Sequence, residues 1–354
     1  MRKDLRSRRD IRILLCADTH LGFDEPVRPR VEKRRRGPDF FANFQRVLDH
    51  ARDSRADLVI HGGDLFFRSC VPGVIVDRVY GMLQSFAGHD IPFLIVPGNH
   101  ERSVLPASLF LSHPNIHVFT KPETRVFELA GTRIAVAGFP CAREEVRRRF
   151  RSLVAETGLA GTEADARFLC LHQAVEGARV GPADYTFRHG DDVVPSADLP
   201  PEVDAVLAGH IHRRQTLVHR RPDGSALPIV YPGSIERTSF AERCEPKGYF
   251  DLTVGDPSPD GRRRLDFEFV PLPARPMEDI VLGNDIDPLG VREFLQSRLA
   301  GLDPDSIIRL SCVDGLPLAV RIALTGKLLR EVCPATMNLQ FGTGFFTRQP
   351  RGRG

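Results

Sequence analysis

No stretch of the 354-residue sequence approaches the roughly 20 consecutive apolar residues that a membrane-spanning helix needs, so a helical membrane protein is not expected. The N-terminus, Met1–Asp10, is basic. It runs into a short apolar segment ending at Asp18, without the longer apolar region and small-residue cleavage site of a secretory signal, and the expected location is the cytoplasm. CxxC spacing is absent as well. The seven cysteines (Cys16, Cys70, Cys141, Cys170, Cys244, Cys312, Cys333) are odd in number and scattered, which excludes a disulfide framework or zinc knuckle and suits buried, reduced thiols. Lysine is scarce, at five of 49 basic residues. Arginine therefore carries the positive charge, and its planar fork suits phosphate, although GC-rich coding produces the same preference. A net charge of +3 is too small to argue for nucleic acid. Its distribution is more informative: Arg28, Arg30, Lys33, Arg34, Arg35 and Arg36 form one run, Arg147, Arg148, Arg149 and Arg151 a second, and Arg348, Arg351 and Arg353 a basic tail. Each is read either as phosphate-contacting or as ordinary solvated surface.

What is present is a soluble globular composition, 42% hydrophobic with 27% charged, in a chain long enough for two domains. From Ile11 to about Pro140, short apolar runs alternate with helical patterns, the mark of an α/β layered fold. Strands are expected at 11–17, 57–61 and 92–96, with helices at 39–54 and 72–87. Further strands are expected at 133–137, 168–171, 205–207, 229–231 and 249–254, with a helix near 143–156. Hairpins become commoner in this half, which points to two sheets packed face to face and flanked by helices. The proline-rich stretch Pro271–Pro276 reads as a linker. Beyond it, helix 288–302, strand 306–311, helix 318–332 and strand 336–341 are expected to form a small domain without chemistry of its own. The expected divisions are a basic tail 1–10, a main domain 11–272, a small domain 273–345 and a basic tail 346–354.

The chemistry-bearing residues sit at strand ends. Asp18 and His20 follow the first strand, where a two-residue period would set them side by side. Gly62, Gly63 and Asp64 follow the second, the glycines permitting close backbone approach. Gly98, Asn99, His100 and Glu101 follow the third, His172 a fourth, and Gly209, His210, Ile211 and His212 a fifth. Singly, each is more often a cap or a core histidine. Together they offer two Asp, five His and one Asn with no thiolate, a donor set for Mn, Fe or Zn rather than for a structural zinc. A carboxylate can bridge two ions roughly 3.5–4 Å apart, and such a pair clamps a phosphate and activates water. The remaining histidines, His61 among them, have no ligand-like spacing and are expected to be structural.

These elements, in this order, resemble the calcineurin-like metallophosphoesterase family over residues 11–212. The resemblance implies a four-layer α/β/β/α sandwich of two mixed sheets holding two divalent ions, preferably Mn²⁺. It implies Asp18, His20, Asp64 and His212 at one ion, Asp64, Asn99, His172 and His210 at the other, and Asp64 as the bridge. His100 would not bind metal but would help stabilise the transition state and protonate the leaving oxygen. The Gly63–Phe66 run, His172–Gln173, and above all Tyr231–Phe240 with Lys247 and Gly248, are similar to the SbcD branch of DNA exonucleases, which partner an SMC-like ATPase, SbcC. That branch implies a DNA substrate in repair or recombination, double-strand 3′–5′ exonuclease and single-strand endonuclease activity, a possible homodimer, and a C-terminal α/β capping domain over the DNA. Arg34, Arg35, Arg36, Ser234 and Arg237 are the expected DNA contacts. Phe67 stands where some relatives carry His or Asp, and Glu101 where the branch usually has Asp. The chain ends about a dozen residues after its last expected strand, leaving little room for an ATPase-binding helical pair. Two other classes share the site residues: a phosphatase or phosphodiesterase for small molecules or phosphoproteins, and a silent DNA-binding scaffold.

Overall fold

The computed structural model describes residues 10–24, 36–102, 104–106, 113–258, 261–313 and 316–342. They fall into two compact units dividing between Pro273 and Ala274, with Asp24 and Arg36 grouped with the second.

The first unit holds two six-stranded mixed sheets. In one, Ile11–Cys16 lies between its antiparallel neighbour Gly248–Pro257 and its parallel neighbour Leu58–His61. Phe93–Ile95 and Ile116–Val118 continue the parallel run, and Arg263–Pro271 closes the other edge. The second sheet repeats the plan. Thr132–Gly138, Ala166–His172, Ala205–Gly209 and Ala226–Tyr231 run parallel, with Glu123–Leu129 and Gln215–Arg220 antiparallel at the edges. Alternating residues of both sheets, such as Ile13, Leu15 and Ile60 from one and Ile134, Val136 and Leu207 from the other, form one buried core between them. That is the face-to-face packing expected when each sheet has an apolar side to cover.

Helices cover the outer faces. In Gly37–Asp53 the buried residues Phe40, Phe41, Phe44, Val47, Leu48 and Ala51 recur at three- and four-residue spacing, and with Gly73–Ala87 they pack against the outer face of the first sheet. Val146–Glu156 does the same for the second through Val146, Phe150 and Leu153. The fold is thus an α/β/β/α sandwich.

The second unit is a parallel sheet of Met277–Leu282, Ile307–Cys312 and Asn338–Phe341, packed on helices Val291–Ala300, Leu318–Ala323 and Gly326–Val332. The single helix expected over 318–332 is two. Thr325 caps the second, its hydroxyl accepting from the Leu328 amide at 3.1 Å, and a threonine at that position starts a new helix more readily than it continues an old one. No element is expected from the sequence at Met277–Leu282, which follows the linker Pro271–Pro276. Its alternation of buried and exposed residues instead makes it an edge strand.

Candidate metal centre

Every candidate ligand lies at or just past the end of a strand in the first unit. Parallel strands of one sheet deliver their following loops to the same edge, so residues far apart in sequence meet there. The backbone at these points is bent. Asp18, His20, Asp64 and His210 have φ of 51°, 43°, 54° and 85°, the left-handed region that costs a side-chain-bearing residue energy and recurs at functional sites. The expectation that the pleat of a strand sets Asp18 beside His20, and His210 beside His212, is corrected on this point. All four follow their strands, and left-handed backbone at Asp18, His20 and His210 aims those side chains, His212 following in an irregular loop. Main-chain amides stitch the turns together, Asp18 N donating to Gly63 O (2.9 Å), His20 N to Asp64 O (3.0 Å), and His210 N to the Asp18 side-chain carboxylate (3.1 Å). Gly63 permits this approach, because a Cβ there would fall 2.1 Å from His172 Nδ1.

The side chains converge in two clusters that meet at Asp64, with Asp18 also beside Asp64 and His172. Donor atoms of Asp18, His20 and His212 lie within 4.8 Å of one another. Asn99 Oδ1 lies 3.0 Å from both His172 Nε2 and His210 Nδ1. Asp64 reaches both sides, with Oδ1 3.4 Å from His172 Nε2 and Oδ2 3.9 Å from His20 Nε2. Asp18, His20, Asp64 and His172 are buried, and Asn99, His210 and His212 half-buried, the His212 side chain remaining 23% exposed.

Hydrogen bonds fix the tautomers. The His172 Nδ1–H donates to Gly62 O at 2.8 Å, so in a neutral ring Nε2 is a lone pair facing Asp64. The His212 Nδ1–H donates to Glu242 Oε1 at 3.2 Å, leaving Nε2 2.9 Å from His20 Nε2. Lone pairs thus face acceptors at two places, and either protons or a cation must lie between them. The charge balance agrees. Burial works against a charge on His172, yet Asp64 raises it to about 9, whereas burial drives His210 down to about 3 and His20 well below its ordinary value. Burial pushes Asp18 up to about 6, and the same desolvation of Asp64 is outweighed by His172, which holds it low. Nitrogen and carboxylate donors in this arrangement fit hard to borderline divalent ions.

His100 stands at the rim. Its Nδ1–H donates to Phe67 O at 2.6 Å, and Nε2 lies 3.9 Å from Asp64 Oδ2, with the side chain 36% exposed. Phe67 packs edge-on to His20, at 5.9 Å between ring centroids. Glu101 accepts from the amides of Phe66 (2.6 Å) and Gly98 (2.8 Å), which ties the loop after Asp64 to the loop carrying Asn99.

The expected DNA contacts fare differently. Arg34 and Arg35 lie outside the described residues. Arg36 is 8% exposed and Ser234 fully buried, its hydroxyl bonded to Glu236 O at 2.8 Å, so neither presents a polar head to a substrate surface. Arg237 is half-buried and donates to Glu245 O at 3.2 Å. Three residues at the centre were not identified from sequence as part of it. Glu242 and Lys247 lie behind His212. His61, fully buried, bonds Thr19 Oγ1 at 3.0 Å and accepts from Gly63 N at 3.2 Å, linking the first two loops. Glu242 follows Tyr231–Phe240 by only two residues, and that was the one available signal.

Comparison with known proteins places this centre. The chain is 28% identical over 288 residues to the DNA double-strand break repair protein Mre11 of Archaeoglobus fulgidus, covering 76% of this chain and 61% of that protein. It is 29% identical to the Mre11 of Halobacterium salinarum over 86% of this chain and 70% of the relative. To that of Methanosarcina acetivorans it is 29% identical over 70% of this chain but only 37% of the relative. The chain thus spans from about a third to some two thirds of the relatives it matches. The profile of the calcineurin-like phosphoesterase family matches residues 11–214, the stretch that carries all the candidate ligands, and the chain belongs to that family.

Proposed function

We propose that this protein is a two-metal phosphodiesterase acting on DNA, a repair nuclease. The observation that carries the chemistry is the pair of clusters around Asp64, where His172 Nε2 lies 3.4 Å from the Asp64 carboxylate and His20 Nε2 lies 2.9 Å from His212 Nε2, so that a proton or a cation must occupy each gap. The DNA substrate is favoured by the likeness to proteins named for double-strand break repair. Asp18, His20, Asp64 and His212 would hold one ion, and Asp64, Asn99, His172 and His210 the other, Mn²⁺ being the preferred ion and Fe or Zn alternatives. Bound divalent ions supply Lewis-acid polarisation of a phosphoryl oxygen and an activated water at neutral pH.

The chain's own groups do the rest. Asp64 keeps its charge against the cost of burial because His172 and His20 face it. His100, its ring fixed by Phe67 O and its Nε2 beside Asp64 at the half-exposed rim, would protonate the leaving oxygen. Double-strand 3′–5′ exonuclease and single-strand endonuclease activity, a capping role for residues 273–345, an SMC-type ATPase partner and a homodimer complete the proposal. Among the described residues no helix is long and apolar enough to cross a membrane.

The test is purified protein with Mn²⁺ on end-labelled duplex and single-stranded DNA beside bis-p-nitrophenyl phosphate. Cleavage of DNA and ester together is expected. Hydrolysis of the ester without DNA would transfer the site to a small-molecule or phosphoprotein substrate.

A further inference from the structure

The run Tyr231–Phe240 with Lys247 supplies no ligand, yet it wraps the main chain at His212. Gly233 has φ 79°, and a Cβ on it would fall 2.6 Å from the His212 carbonyl oxygen and 2.8 Å from Arg214 N, so glycine alone lets the two backbones close. The Ser234 amide donates to that carbonyl at 3.1 Å, and the Lys247 ammonium does so at 2.9 Å. On its other side Ser234 bridges to Ala17, the residue before Asp18. The same short segment therefore touches the chain at two ligands of one cluster.

Glu242 is its centre. Oε1 accepts from the His212 ring (3.2 Å), Thr238 (2.6 Å) and Ser239 (3.2 Å), and Oε2 from Lys247 (2.6 Å) and Ser234 (3.3 Å). The Lys247 side chain is wholly buried. A buried ion pair is weak evidence for stability, since an apolar pair of similar volume often does as well. An apolar pair could not, however, accept the His212 Nδ1 proton and turn Nε2 toward Asp18 and His20. His172 on the other side is turned by a main-chain carbonyl instead, that of Gly62.

We propose that Gly233–Lys247 is a positioning clamp for one ion of the pair. Glu242 fixes the His212 ring and Lys247 its main chain, so the ion at Asp18, His20 and His212 depends on the clamp and the ion at Asn99, His172 and His210 does not. The inference rests on the two-metal reading.

The test counts Mn²⁺ on the full chain by chelator competition and plasma mass spectrometry, and follows thermal melting of the metal-free protein. Wild type is expected to hold two ions. Glu242→Leu is expected to weaken one of them by about 10- to 100-fold, the usual cost of removing a partner of a metal-bound histidine, and to leave the other at wild-type affinity. If the single variant does not fold, Glu242→Leu with Lys247→Met removes both charges together and is expected to give the same selective loss. Two ions at wild-type affinity in a folded variant would overturn the clamp, as would equal loss of both with melting unchanged. Fewer than two ions on wild type would instead overturn the two-metal reading.

Discussion

The two halves of the metal centre are held in different ways. On one side, His172 is oriented by the carbonyl of Gly62. On the other, His212 is oriented by a side chain, Glu242, itself held by Lys247. A ligand set by main chain tolerates substitution around it so long as the strand and its turn persist, whereas one set by a carboxylate can be lost through a single change far from the metal. Asp64 belongs to both halves, and the comparison can be broken there first.

Asp64→Ala is expected to have the largest effect, since Asp64 faces His172 with one carboxylate oxygen and His20 with the other. Both ions should be lost, and hydrolysis of DNA and of bis-p-nitrophenyl phosphate should fall to background. A variant retaining two ions and wild-type rates would dissolve the distinction between the halves. His100→Ala comes next. His100 belongs to neither half, so metal content should stay at two ions while turnover falls by about 10²- to 10⁴-fold, the range for a general acid. His20, Asp64 and His100 also place donor atoms within 4.8 Å of one another. Loss of an ion rather than of rate would therefore make His100 a ligand.

The ligands could be read from sequence because each strand-end motif is local. Asp18–Thr19–His20 or Gly209–His210–Ile211–His212 needs only its neighbours to be recognised, and the sandwich followed from alternating apolar runs. The means of orientation could not be read. The left-handed turns at Asp18, His20, Asp64 and His210 depend on pairing between loops from different strands, which no window of sequence contains. Glu242 meets His212 across 30 residues, and His61 looked like a core histidine because, apart from its bonds to Thr19 and Gly63, it is one. Edge strands such as Gln215–Arg220, polar on one face, carried too weak a pattern to be identified. Ser234 and Arg36 looked available for phosphate because burial is not written in residue type.

A pH series sharpens the contrast between the halves. In the metal-free protein Asp64 raises His172 to about 9, so below that pH a proton occupies the lone pair an ion would use. Asp18 is raised by burial to about 6, so below about pH 6 a second proton competes. Mn²⁺ affinity should therefore rise with pH from 6.5 to 8.5, by up to about tenfold per unit for each displaced proton, with the His172 half the more sensitive. An affinity flat across that range would contradict the assignment. The smallest effect is expected from Arg34→Ala with Arg35→Ala, which leaves both halves intact. Ester hydrolysis should be unchanged, while the slope of log affinity against log salt on duplex DNA flattens by up to about two units. An unchanged slope would return the run to ordinary surface.

The central claim, two ions straddling Asp64, is tested most directly by anomalous diffraction at the manganese edge from crystals grown with Mn²⁺. The account predicts two peaks, one among Asp18, His20, Asp64 and His212 and one among Asp64, Asn99, His172 and His210. A single peak, or a peak coordinated by His100 in place of either set, would contradict it.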